Sequence, residues 1–150
     1  MAWFADLSPC TYFRGGEAVL RSVGWLEGDH DFPTGPTAQD VYQKLVQLVR
    51  DCWSPVLSCG PHFCSLCQFP GETACNANLF VPGHGILYAS PTLIPHYVNA
   101  HHYRPPEEFC EAVLRCPLTD TMEYKRLFLT NGGRDFLQVI QHHDEIPVKE

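Results

Sequence analysis

The chain has 150 residues, 45% of them hydrophobic, including nine Phe, three Trp and six Tyr. That is enough to close one core over residues 1–150, too little for two comfortable domains, and too aromatic for intrinsic disorder. Seventeen acidic residues against ten basic ones give a formal charge of −7 with no run of Lys or Arg, which argues against a grip on nucleic-acid phosphates and favours a basic or metal-bearing partner, a protein above all.

From the N-terminus, Leu7–Phe13 and Ala18–Leu26 carry β-favouring residues around Gly15 and Gly16 and read as one or two strands. Gly28–Pro36 has no apolar period and reads as a loop. Thr37 then serves as an N-cap with Asp40 in the first turn, and Val41, Leu45, Leu48, Val49 and Cys52 recur at helical spacing until Pro55. Val56–Cys59 reads as a short strand. Asn78–Val81 and Ile86–Ala89 form a hairpin about Pro82-Gly83-His84-Gly85.

Ser90-Pro91 resembles an N-cap with proline at the first helical position, opening a helix through Leu93, His96, Tyr97 and His101, although Pro95 argues for a later start. Pro105-Pro106 ends that helix and starts another, with Glu107 and Glu108 complementing its N-terminus and Phe109, Ala112, Val113 and Cys116 on its apolar face. Thr119 or Thr121 caps a further helix through Tyr124, Leu127 and Phe128, halted by Asn131-Gly132-Gly133. Asp135–His143 is a short helical pattern, and 144–150 is expected to fray. The sum is an α+β fold, a small antiparallel sheet packed against three to four helices and stabilised by zinc.

The zinc expectation rests on Cys64-x-x-Cys67, followed after 28 intervening residues by His96 and His101. Two thiolates on a tight turn form half of a tetrahedral site, and two imidazoles from a helix complete it. The spacing of the histidines resists this, because residues five apart on an ideal helix point about 140° away from each other. An irregular last turn before Tyr103-Arg104-Pro105 relieves the conflict. His102 is a fallback, and His62, two residues before Cys64, is a competing fifth candidate. A buried, reduced, metal-free cysteine pair is the plain alternative.

Other residues have ordinary explanations beside the chemical ones. Cys110 could pair with His101 or His102 as a nucleophile, yet cysteine is among the most buried residue types and packing explains it. Glu107 or Glu108 could serve as general base beside a zinc-bound water, yet a helix first turn already accounts for both. Tyr12, Phe13, Trp25, Phe32, Trp53 and Tyr103 could line a groove and are more simply core and loop packing. Asp29-His30-Asp31 and His142-His143 read as solvated. Signatures of zinc proteases, zinc deaminases, phosphate-binding loops and serine hydrolases do not occur.

The segments Asp6–Phe13, Val23–Leu26, Phe32–Gly35, Cys64-x-x-Cys67, Asn78–Gly83 and His96-Tyr97 through His101-x-Tyr103-x-Pro105-Pro106-Glu107-Glu108-Phe109 together resemble a family of small uncharacterised bacterial proteins. The resemblance spans roughly residues 3 to 133. It implies a cytoplasmic bacterial domain with a dedicated cysteine–histidine site and implies no particular activity.

The N-terminus has neither the basic region nor the long apolar stretch of a secretory signal, and nothing approaches the roughly 18 apolar residues of a membrane span. A cytoplasmic protein whose eight cysteines are ligands or thiols follows as the expectation. Its function is expected to be that of a zinc-stabilised, non-enzymatic binding domain. The alternatives are a zinc hydrolase with an open coordination position and a cysteine-dependent enzyme or redox protein.

Overall fold

The structure, a computed structural model, describes residues 3–50, 52–54, 62–67, 74–75 and 77–144, without the side chains of 62, 74–75 and 141–144. A hairpin forms its centre. Strands β4 (Asn78–Pro82) and β5 (Leu87–Pro91) pair antiparallel from Asn78↔Pro91 to Pro82↔Leu87, and the Gly83 N–H donates to the Ile86 carbonyl at 2.8 Å across the turn. Gly85 takes a φ of 74° there, a conformation open to glycine at no steric cost.

Strand β1 (Leu20–Ser22) adds to the other edge of β5 and runs parallel to it, Leu20 opposite Leu87. The α+β class is as expected, and the three-stranded sheet, in the order β1-β5-β4, is mixed rather than wholly antiparallel. A separate ribbon of two short strands, β2 (His62–Phe63) and β3 (Ala74–Cys75), pairs antiparallel. The expected strand at Val56–Cys59 lies outside the described residues.

Every residue of β5 and all but the last of β4 are buried, the signature of a sheet covered on both faces. Helix α1 (Gln39–Arg50) buries Val41, Leu45 and Leu48 and packs against α2 (Ile94–His101) and α3 (Glu107–Arg115). Helix α4 (Met122–Phe128) lies against β4, and α5 (Arg134–Asp144) follows it through the break at Leu129–Gly133. The core holds a cluster of rings in which Phe80 lies 5.5 Å from Phe13, 5.8 Å from Phe128 and 5.6 Å from Phe136, centroid to centroid. The Tyr124 hydroxyl donates to the Phe80 carbonyl, and the Trp25 indole N–H donates to the Ala89 carbonyl at 2.9 Å.

Several local expectations shift under the pull of pairing and packing. Leu7–Phe13 forms no strand of its own, yet it is tied to β1 by a bridge between Pro9 and Arg21 and by backbone hydrogen bonds from Leu7 N–H to Ser22, Ser22 N–H to Ser8 and Cys10 N–H to Leu20. Thr37 does not cap α1; its hydroxyl donates to the Tyr103 carbonyl at 3.3 Å instead. Ser90 and Pro91 continue β5, opposite Leu79 and Asn78, so α2 begins only at Ile94 with Pro95 in its first turn. Thr121 does cap α4, accepting from the Tyr124 N–H at 3.2 Å.

Asn131-Gly132-Gly133 halts the helical path as expected, and the chain kinks there into α5. Gly132 sits at φ 100°, and Asn131 donates to the Leu127 carbonyl at 2.7 Å while accepting from the Gly85 N–H at 2.9 Å. A Cβ built on Gly133 would overlap the Phe128 carbonyl oxygen and ring. Gly133→Ala is therefore expected to destabilise the protein by about 3 kcal/mol in urea unfolding, at the upper end of overpacking costs. Gly85→Ala, whose Cβ meets nothing within 4 Å, should cost only the smaller strain of its positive φ.

Among the described residues, no helix is long and apolar enough to cross a membrane.

Candidate metal centre

Strand β2 ends at Phe63 and delivers Cys64 directly into a tight turn that closes at Cys67. The Ser65 hydroxyl accepts from the Gly28 N–H at 2.9 Å and ties this turn to the loop after Leu26. Opposite it stands α2. Ile94 and Tyr97 anchor that helix in the core, which leaves His96 and His101 half-buried and facing the cysteines.

The last turn of α2 resolves the spacing conflict. The Tyr97 carbonyl accepts from the N–H groups of both His102 and Tyr103, bonds that reach five and six residues back instead of four. Such a turn holds more residues than a regular α-turn, so His101 comes round toward His96. The two rings stand 5.0 Å apart at 80° to one another, nearly edge to face. His102 takes the left-handed cap conformation at φ 56° and is exposed, so it does not serve as the fallback.

Four donor atoms converge as a result. Cys64 Sγ lies 3.4 Å from His101 Nε2, and Cys67 Sγ lies 3.2 Å from His96 Nε2 and 3.5 Å from His101 Nε2. All four atoms fall within 4.8 Å of one another, a group that could hold a metal ion. Burial raises the Cys64 thiol above its ordinary range, and the neighbouring Cys67 adds to this. Burial also lowers both imidazoles, with His96 and His102 contributing at His101. Neutral imidazole is the form that binds metal, whereas a thiolate in this setting needs a cation beside it.

The other candidates lie elsewhere. The side chain of His62 is outside the described residues, its backbone pairing with Cys75. The Glu108 carboxylate accepts from the Tyr88 hydroxyl at 2.6 Å, and Glu107 lines a cleft with Pro36, Thr37 and Cys110. Neither carboxylate joins the four donors. Cys110 is half-buried, its Sγ 3.8 Å from the Pro105 carbonyl, and burial raises its thiol; no histidine is grouped with it. Phe13, Trp25 and Tyr103 are core residues, Tyr12, Phe32 and Trp53 pack partly buried against them, and His142-His143 have no described side chains. The six described cysteines outside β3, Cys10, Cys52, Cys64, Cys67, Cys110 and Cys116, are all free thiols.

One feature had no signal in the sequence. Asp6 is largely buried and takes hydrogen bonds from the Gly24 N–H at 3.1 Å and from the fully buried Tyr103 hydroxyl, 2.9 Å from each carboxylate oxygen. Its partners lie 18 and 97 positions away, beyond the reach of any local pattern.

An α+β fold with a Cys2His2 cluster able to hold a metal ion defines the class of protein. The chain belongs to the family described as Domain of unknown function (DUF7919), whose model matches residues 2–114. That stretch includes all four cluster residues and ends within α3, short of the expected limit at residue 133. No curated protein and no solved structure matches the chain.

Proposed function

We propose that the protein is a zinc-stabilised, non-enzymatic binding domain of a bacterial cytoplasm, whose role is to engage another protein. The observation that carries this reading is the convergence of two thiol sulfurs and two imidazole nitrogens from separate elements. Four protein donors fill a tetrahedral zinc site and leave no position for a reactive water, the arrangement of structural rather than catalytic zinc. Zn–S bonds of about 2.3 Å and Zn–N bonds of about 2.0–2.1 Å imply S···N edges of about 3.6 Å in a regular tetrahedron. Three of the four S···N separations are 3.2 to 3.5 Å and the fourth is within 4.8 Å, which fits an ion of that size with small adjustments.

Softness favours the same ion, since paired thiolates and imidazoles suit zinc and disfavour magnesium or calcium. The partner reading draws support from Leu114, Leu118 and Met122, which stand 45%, 44% and 71% exposed around the junction of α3 and α4. Exposed apolar side chains this near one another in the chain are what a partner-binding surface would draw on.

Protein purified without added metal or affinity tag is expected to contain one zinc per chain by elemental mass spectrometry. Two thiols, Cys64 and Cys67, should resist alkylation until a chelator is added. Zinc uptake by the stripped protein should release two thiol protons per ion, so its affinity should climb with pH through the neutral range. Metal-free protein with every accessible thiol equally reactive would sink the proposal. Cobalt replacing zinc should show the ligand-field bands of a tetrahedral site, and a five-coordinate spectrum would instead reveal an open position.

A further inference from the structure

A cavity of about 230 Å³ lies between the N-terminal segment and the loop from Leu26 to Pro33. It shares no residue with the Cys2His2 cluster. Trp3, Phe4, Leu26 and Phe32 supply apolar and aromatic wall, and the carboxylate residues Asp6 and Asp31 also line it. The rings are held in place by packing. Trp3, though 38% exposed, stacks on His30 with centroids 4.0 Å apart and planes at 9°. Phe4 meets Trp25 edge-on at 5.4 Å, and Phe32 meets the buried Tyr103 at 6.2 Å.

The charge in this cavity has no counterpart. Asp6 is satisfied by hydrogen bonds from Gly24 and Tyr103, but among the described residues no Lys or Arg pairs with Asp6 or Asp31, the one ion pair nearby being His30 with Asp29 at 3.8 Å. Burial raises the Asp6 carboxyl, as expected for a carboxylate set in an apolar wall without a cation. An anion would be repelled by the two aspartates. A cation with an alkyl stem would set its charge against the unpaired Asp31 while its stem covers the apolar and aromatic wall.

We propose that this cavity binds an alkylammonium group, presented as a lysine side chain by a basic segment of a protein partner. The volume suits one side chain, being below the range of drug-sized pockets. The formal charge of −7 would draw such a segment in.

The test uses the full-length, zinc-replete protein and a capped Gly-Gly-Lys-Gly-Gly peptide, followed through the Trp3 indole resonance, which is assigned by its loss in Trp3→Phe. Saturable binding in the millimolar range is expected, with the norleucine analogue at least about tenfold weaker. Asp31→Asn should weaken lysine binding by about twofold to fivefold, the span of an exposed ion pair. Its unfolding midpoint should not move, because Asp31 is exposed. Equal binding of the lysine and norleucine peptides, or an unmoved indole resonance at tens of millimolar peptide, would overturn the proposal. Butylammonium chloride binding as tightly as the peptide would overturn the partner and leave a free amine as the ligand.

Discussion

On the zinc reading proposed above, stripping the metal, or replacing Cys67 with Ala, is expected to lower the unfolding midpoint by about 10–20 °C, the equivalent of roughly 5 kcal/mol in a chain of this length. The ribbon of β2 and β3 has two residues per strand, and so small a hairpin has no stability of its own in water. Among the described residues, the hydrogen bond from Gly28 to Ser65 and the packing of Cys64 and Leu66 on the core tie its turn to the rest of the fold, and the link to α2 runs through Cys64, Cys67, His96 and His101. Structural zinc contributes about 10–16 kcal/mol of apparent binding energy in peptides that fold only around it. The gain here is smaller because a hydrophobic core exists without the metal. Scanning calorimetry checks the shift, and hydrogen exchange should show the Cys-x-x-Cys turn opening first while β4 and β5 stay protected. An unchanged midpoint after complete zinc removal would deny the metal its structural role.

Phe80→Ala should cost about 3–5 kcal/mol in urea unfolding while leaving the metal content as it is in the unaltered protein. Phe80 is fully buried and touches rings from three different parts of the chain, Phe13, Phe128 and Phe136. Truncation would leave a cavity bounded by a sheet and two helices, and such a site collapses poorly. A loss under about 1 kcal/mol would mean that α4 and α5 are not packed on the sheet as described. Comparison with Cys67→Ala separates the two sources of stability, since only one of the variants should lose metal.

The parts of this fold legible in the sequence are those fixed by neighbours in the chain. Helix α1 shows itself through Val41, Leu45 and Leu48, and the hairpin through two apolar runs about Gly83 and Gly85, because spacing and turn chemistry are local. Cys64, Cys67, His96 and His101 were likewise visible as residue types with metal-ligand spacing. What brings the histidines together was not visible. The wide last turn of α2 depends on the Tyr97 carbonyl taking bonds from His102 and Tyr103, a choice made by tertiary packing. Of the two starts the sequence offered for α2, the later one marked by Pro95 holds, because the cap-like Ser90-Pro91 is claimed by β4, which offers Leu79 and Asn78 as ladder partners. The parallel seat of β1 and the pairing of Asp6 with Tyr103 join residues 67 and 97 positions apart, and no window of sequence contains both ends.

The parallel edge formed by β1 and β5 governs how the chain acquires its structure during synthesis. Leu20 meets Leu87, and closing a loop of that size costs roughly 4 kcal/mol of chain entropy before any contact repays it. At ribosomal rates of about 5–20 residues per second, β1 waits roughly 3 to 13 seconds for its partner to be made. Throughout that interval Leu20, Val23 and Trp25, all sealed in the finished protein, are bare in the nascent chain. The period of greatest vulnerability to aggregation therefore precedes β5, and a holdase chaperone would find its target in the first 26 residues.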